Sequence, residues 1–270
     1  MAVTNFIPTI WSKSIQDKLE LKTVLVKNCH RQYEGDVEHA KTVKILAVGE
    51  PTVVDYDREN GIDPEAMSDE GQDLVIDKAK AFAFLVEDID KAQSVPGLME
   101  EYQRKSVHKL SVAEDSHIAS LIKGVTDEGH VTTATELTEA GIKKAIDLAI
   151  VALRERNFDE EGVIELSPAV YNEFKNCLIT TSTNNPELIA KGVVGKYDSF
   201  DVVMSNNMAK DGEYVYCCIR GKKAIAFAGQ INKVEALRHP KKFGDIVRGL
   251  DTFGAKVIDK DRIQVVKVPV

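Results

Sequence analysis

The residues that could do chemistry are few, and their spacing suits none of the common reactions. Gly192-Val-Val-Gly-Lys196 looks at first like a phosphate-cradling loop. Such a loop has four residues between its glycines and a Ser or Thr after the lysine, whereas here two residues intervene and Tyr197 follows. A glycine-containing turn ahead of a strand is the better reading. The six histidines, His30, His39, His108, His117, His130 and His239, never pair at metal-ligand spacing, and no HExxH occurs. Cys217 and Cys218 are adjacent in a predicted strand, so their side chains point to opposite faces and do not share a metal. No GxSxG elbow presents a nucleophilic serine. The acidic run from Asp57 to Asp73 lacks the ligand rhythm and closing glutamate of a calcium loop and reads as solvated. No catalytic, cofactor-binding or metal-ligating residue is therefore assigned, and the expectation is a protein that is not an enzyme.

Composition narrows the class further. The chain has 270 residues, long enough for a sizeable core in one large or two moderate domains. Its hydrophobic content of 43% and charged content of 29% are those of a globular protein. A net charge of −8 argues against a surface devoted to nucleic acid, which is usually strongly basic. The four cysteines, which include Cys29 and Cys177, are too scattered for a disulfide framework and suit a reducing setting. The N-terminus has no basic region followed by an apolar run, and no window reaches 18 consecutive apolar residues. Neither a signal peptide nor a membrane span is expected.

The elements are organised around Ser94 to Val125, the longest helical pattern in the chain. Leu98, Met99, Tyr102, Ser106, Leu110, Ala113, His117, Ile118, Leu121, Ile122 and Val125 recur at spacings of three and four, which places them on one stripe. Ser94 with Pro96 gives a start signal, and Gly124 a stop. At about 1.5 Å per residue the helix is on the order of 40 Å long, a strut more than a core helix. Glu100, Arg104 and Lys105 on its first half, and Glu114 and Asp115 on its second, read either as solvated charge or as a face toward an enclosed interior.

Before the helix, Met1 to Thr9 reads as an extended arm, and Ile10 to Val26 as a helix followed by a short extended piece. Trp11 near its start reads first as a core anchor and second as an inter-subunit contact. Asp36 to Tyr56 and Asp73 to Asp90 are strand-like, and the linker between them, rich in Asp, Glu, Gly and Pro, cannot supply a core. The expectation is a long two-stranded arm with an acidic tip, which needs a partner surface because an isolated hairpin is only marginally stable.

After the strut, Thr135 to Asn157 reads as a second helix. A strand then runs from Gly162 into a helix that is capped at Ser167 and opened by Pro168. Further expectations are a helix around Pro186 to Ala190, strands Phe200 to Met204 and Tyr214 to Arg220, and a strand from Ala224 to Leu237. Phe243 to Leu250 reads as a short helix, Asp251 to Lys256 as a link, and Ile263 to Val268 as a terminal strand. No repeat occurs at a fixed period. Mixed rather than alternating order predicts an α+β fold.

Several stretches resemble one family in particular. FIPTIWSKSIQDKL is similar to its N-terminal arm, and FAFLVEDIDKAQS followed by LMEEYQRKSVHKLSVAEDSHIASLI to its descending loop strand and spine helix. LSPAVYNEFKN, GVVGKYDSFDVVMSNNM and AIAFAGQINKVEALRHPKKFGDIVRGLDTFGAKVI are similar to its axial domain and the return from it. The family is the major capsid protein of tailed bacteriophages, the Hong Kong 97 fold, and the matches span most of the chain.

The resemblance implies an N-terminal arm (1–36), an extended loop with peripheral-domain strands (37–92), a spine helix (93–133), an axial domain (134–227) and a return to the peripheral domain (228–270). It implies a coat protein that assembles with itself into hexamers and pentamers of an icosahedral head. Such a head encloses double-stranded DNA without sequence-specific binding and has no membrane partner. The virion is the expected location, after assembly in the host bacterial cytoplasm. Because the sequence starts almost at the arm, a separate scaffolding protein, along with a portal, is expected during assembly. Expected assembly contacts lie in the arm, at Phe6 and Trp11, and in the loop, at Asp57, Arg58, Glu59, Asp63, Glu65, Asp69 and Glu70. The lysine-to-asparagine cross-link of some relatives is not carried over, because Asp57 to Gln72 contains no lysine. Two alternatives are an encapsulin-type nanocompartment shell and, from another class, a cytosolic α+β enzyme.

Overall fold

The long helix is present as α1, Leu98–Gly124. In the computed structural model the described residues are 23–32, 42–48, 69–87, 98–181 and 195–269, so the start signals Ser94 and Pro96 lie outside them. The buried face of α1 is broader than the expected stripe. Leu110, Ile118 and Ile122 are buried as the spacing predicts, but so are Val107, Ser111, Glu114, Asp115 and Ala119, while Tyr102 is exposed. The physical reason is that two different bodies cover the helix. Its first half packs Val107 and Leu110 against Phe82, Phe84, Val234 and Val247, and its second half joins the main core. Glu114 and Asp115 are therefore interior side chains of the subunit, and the reading of them as solvated charge is corrected.

The main core is built on a seven-stranded mixed sheet in the order β4-β12-β9-β5-β7-β6, with β8 on the end of β9. These strands are β4 (Val131–Thr133), β5 (Gly162–Leu166), β6 (Lys196–Tyr197), β7 (Phe200–Met204), β8 (Lys210–Asp211), β9 (Tyr214–Gly221) and β12 (Ile263–Pro269). β5 and β9 are buried along nearly their whole length, as central strands covered on both faces should be. Helices α2 (Glu139–Glu155) and α3 (Pro168–Thr181) pack together beside the sheet, and α1 touches β9. α2 buries Ile142, Ala145, Ile146, Ala149, Ile150 and Leu153 on one face, a helical period. It starts later than the sequence suggests. Thr138, not Thr135, is the cap, its hydroxyl accepting the Gly141 N–H at 3.2 Å. Ser167 precedes α3 as expected, but its hydroxyl is buried without a hydrogen-bond partner rather than capping the helix.

Two smaller sheets complete the fold. β10 (Ile225–Arg238), β11 (Gly244–Val257) and β3 (Lys78–Glu87) form an antiparallel sheet in the order β10-β11-β3. β1 (Thr42–Val48) pairs with β2 (Asp69–Val75) as an antiparallel ribbon, Val48 opposite Asp69. Two expectations fail here. The run from Asp73 to Asp90 is not one strand of a long hairpin, since it breaks at Ile76-Asp77 and β3 pairs with β11 instead of β1. From Gly244 onward, the short helix expected at Phe243 to Leu250 and the link expected at Asp251 to Lys256 are a single strand, β11. In β11, Val247, Gly249, Asp251 and Phe253 are buried while Arg248 and Leu250 are exposed, the period of two that a sheet face imposes. Pairing on both edges overrides whatever helical spacing Val247 and Leu250 offer. The helix expected around Pro186 to Ala190 lies outside the described residues.

Candidate functional site

The best-built polar constellation is where the chain leaves its N-terminal segment and enters the body. Residues Val26–Asn28 form a 3₁₀ turn, and its leading N–H groups have no partner within the turn. Asp115 of α1 supplies one. Its Oδ1 accepts from the N–H of Leu25 (3.0 Å) and of Val26 (3.3 Å), and its Oδ2 from the N–H of Val24 (3.2 Å) and the Asn207 side-chain amide (3.2 Å). A carboxylate at the positive end of a turn is favoured electrostatically. Burial raises the Asp115 carboxyl above its ordinary range, while these donors work in the opposite direction.

From the other side, Arg220 of β9 holds the carbonyl end of the same turn. Its Nη1 donates to the Asn28 carbonyl and its Nη2 to the Leu25 carbonyl, each at 2.9 Å. The remaining donors of Arg220 meet Glu165 of β5, and the Asn28 amide reaches Glu165 Oε1 at 3.1 Å. Burial opposes the guanidinium charge, but the charge and hydrogen bonds of Glu165 more than offset it, so Arg220 is held firmly protonated. Cys29 and Cys217 are themselves pushed up to about 11 by burial, so neither is a nucleophile near neutrality. Among the described residues all four cysteines are free thiols. The arrangement binds a chain segment rigidly and has no reacting centre. No cluster of three or more metal-ligating side chains exists among the described residues.

Apolar side chains left uncovered give the second constellation. Leu148 and Val151 are about half exposed on the outer face of α2, one turn apart. Phe243, at the turn between β10 and β11, is 82% exposed, and Leu237 of β10 and Leu250 in the middle of β11 are exposed as well. Ala81, Ala83, Gly249 and Leu250 line a shallow apolar groove of about 450 Å³ along the three-stranded sheet. Clustered exposed apolar surface of this kind marks contact surface. Among the described residues no helix is long and apolar enough to cross a membrane.

No family model matches the chain, and no curated protein sequence matches it significantly. Solved structures do. The chain is similar to a structure from Mycobacterium phage Che8, with 27% identity and a TM-score of 0.72 over 90% of each chain. It is similar to the capsid structure of Cyanophage P-SCSP1u, with 15% identity and a TM-score of 0.65 over 86% of this chain and 84% of that one. The chain has the Hong Kong 97-type phage capsid fold. The α+β expectation and the resemblance to the fold of phage capsids hold. The fold also includes an encapsulin, the holo-SrpI complex of Synechococcus elongatus, at 12% identity and a TM-score of 0.57 over 85% of this chain and 83% of that one. What the chain shares with these phage capsid and encapsulin neighbours is this fold.

In this capsid fold most of the expected assembly contacts, Phe6, Trp11, Asp57, Arg58, Glu59, Asp63 and Glu65, lie outside the described residues. Asp69 and Glu70 are described, and they belong not to a loop tip but to the start of β2, opposite Val48 and Ala47. The anchoring roles of Asp115, Arg220, Glu165 and Asn207 toward residues 24–28, the root of the expected arm, escaped the sequence reading. Two of them left a signal, a lone charge inside an apolar strand, in GVIEL and in YVYCCIR. A charge in such a run is either paired or absent from the core.

Proposed function

We propose that the chain is the major coat protein of a tailed phage, building the hexamers and pentamers of an icosahedral head around double-stranded DNA. The observation that carries this reading is the likeness along 90% of the chain to the Che8 phage structure at 27% identity. The residue chemistry agrees: the buried polar network anchors a segment of the chain to its own body, and the net charge of −8 suits a wall that confines DNA without gripping it. The domain boundaries implied by the resemblance are part of this proposal, as are a separate scaffolding protein, a portal and assembly in the host cytoplasm.

The second reading, an encapsulin-type shell, has the encapsulin neighbour in its favour. Negative-stain microscopy of the purified protein, followed by sequencing and mass spectrometry of the particle contents, decides between them. Head-sized shells that contain genomic DNA when isolated from infected cells are expected. Shells loaded with one enzyme and no DNA establish the encapsulin, and a discrete small oligomer overturns both.

A further inference from the structure

The turn between β10 and β11 is tied down on all sides and yet leaves an aromatic side chain in water. The His239 N–H donates to the Gly244 carbonyl at 2.9 Å, which closes the turn. The ring Nδ1 of His239 accepts the backbone N–H of Lys241 at 3.0 Å and of Lys242 at 2.9 Å. At the base, Arg238 Nη1 donates to Asp245 at 3.1 Å, and on the flank Lys242 Nζ donates to Glu87 of β3 at 2.9 Å. Pro240 fixes one more backbone angle. A segment held this firmly has little freedom left to lose when it meets a partner. Phe243 at its end is 82% exposed, so the lone subunit draws no burial from it. Rigidly presented aromatic side chains of this kind are the usual anchors of protein contacts.

A surface to receive it lies on the same sheet. Phe82, Phe84, Val234 and Val247 face α1. By alternation the opposite face carries Leu237, Ile246 and Leu85, which are in register across the three strands, and further along it Leu250 beside Ala81. Between them Glu235 and Arg248 pair, so the charge there is balanced. The small side chains of Ala81 and Ala83 leave the apolar groove of about 450 Å³ that Leu250 borders.

The ring that enters this groove comes from another copy. Within one chain Phe243 lies seven positions from Leu250 along an extended strand, roughly 20 Å at about 3.3 Å per residue, so it does not reach its own groove. Tip against tip is disfavoured, because Lys241 makes no ion pair among the described residues and Lys242 stands beside it. One ring in a shallow groove also buries far less than the roughly 1,200 Å² of a complex that stands alone. The occupant is therefore carried by a body that other contacts already hold, as neighbouring subunits of a shell are.

We propose that Phe243 of one copy seats in the groove at Ala81, Ala83 and Leu250 of the next. This rests on the reading of the chain as a shell-forming coat protein. Because tip and groove are different patches, the contact runs head to tail and closes as a ring of copies about a rotation axis rather than as a two-fold dimer.

The full chain tests this through assembly. Phe243→Ala removes a side chain that is mostly in solvent, so its melting midpoint should match the wild type within experimental error. It should nevertheless need at least about tenfold more subunit to form shells, read by sedimentation. Shell formation at the wild-type concentration overturns the contact. Particles assembled at that higher concentration from a chain carrying both Phe243→Cys and Ala81→Cys, then oxidised, should give a ladder of disulfide-linked copies on a non-reducing gel. The four native thiols are buried, so wild-type particles and each single variant should stay mostly monomeric. As much cross-linking from Phe243→Cys alone means that tips meet tips and overturns the groove, and so do double-variant particles that do not cross-link. A wild type that forms no shells defeats the coat-protein reading, and the inference falls with it.

Discussion

Arg220 and Glu165 form a two-pronged ion pair with no solvent exposure on either side chain, Nε to Oε2 at 3.0 Å and Nη2 to Oε1 at 2.8 Å. A pair this deep contributes little net stability over an apolar replacement but costs heavily when halved. Its value here is positional, since the two remaining guanidinium contacts hold the carbonyls of Leu25 and Asn28.

Removing one partner should therefore be much worse than removing both. Arg220→Met leaves the Glu165 carboxylate buried and alone and should cost about 3–5 kcal/mol in urea unfolding. Glu165→Leu with Arg220→Met together should recover much of that loss. Even the recovered double variant should be cut faster by protease at residues 23–29, because the two carbonyls have lost their donor. Equal protection of the double variant and the wild type would show that Arg220 does not hold the arm root.

Asp115 holds the amide side of the same segment. Asp115→Ala strips the acceptor from three successive backbone N–H groups, at about 1–3 kcal/mol for each that water cannot reach. Asp115→Asn keeps one oxygen and should fall between Ala and wild type. Denaturant midpoints for the three proteins give the order, and an Ala variant as stable as Asn contradicts the capping role.

The start of α2 offers a smaller test of the same kind. Thr138→Ala removes the hydroxyl that accepts the Gly141 N–H and should cost about 1 kcal/mol. Thr135→Ala should be within experimental error of wild type in the same melting experiment, although the expected helix begins there.

That contrast shows what the sequence could and could not reveal. Periodicity found α1 and α2 because each has a continuous apolar face, and it placed β5, β7, β9, β10 and β12 because their alternation or bulk is local. It missed β11 because the strand is sandwiched between its hairpin mate β10, Ala228 opposite Gly254, and a partner far back in the chain, β3, with Phe82 opposite Gly249. The wrong pairing of β3 has the same origin, since a run of alternating residues does not name its partner. The arm-root clamp was hidden for a different reason. Asp115 looks like one more charge on a charged helix, and only the chain segment at Val24 to Val26, some ninety positions away, makes it interior.

Two glycines of β11 separate soft from hard close packing. A methyl at Gly249 would meet the Phe82 ring, which is only partly buried and has room to turn, whereas a methyl at Gly254 would meet the Val75 carbonyl and the backbone of Ile76. Gly254→Ala should therefore be the more damaging of the two, toward the upper end of the about 1–3 kcal/mol typical of overpacking. Gly249→Ala should be tolerated at the lower end. The reverse order in thermal melts would mean that the β2–β3 corner yields more easily than the ring.

The ribbon β1–β2 allows the role proposed for the loop to be tested without damaging the fold. Val48 and Asp69 face each other as the last described pair of the ladder, so residues 49–68 can be replaced by Asn-Gly, the pair favoured in a two-residue hairpin turn. Deleting as far as Gln72 would instead remove half of β2, including the Gln72 amide that donates to the Ile258 carbonyl at 3.2 Å. Val43, Ile45 and Leu74 stay packed on Ala226 and Ala228 in the shortened chain, so circular dichroism and the melting midpoint should remain near wild type. Assembly should fail or become irregular, because the removed residues carry the expected contacts Asp57, Arg58, Glu59, Asp63 and Glu65. Sedimentation and negative-stain microscopy read that outcome directly. Regular shells from a folded, shortened subunit would show that the loop is dispensable and would move the search for assembly contacts to the exposed Phe243, Leu148 and Val151.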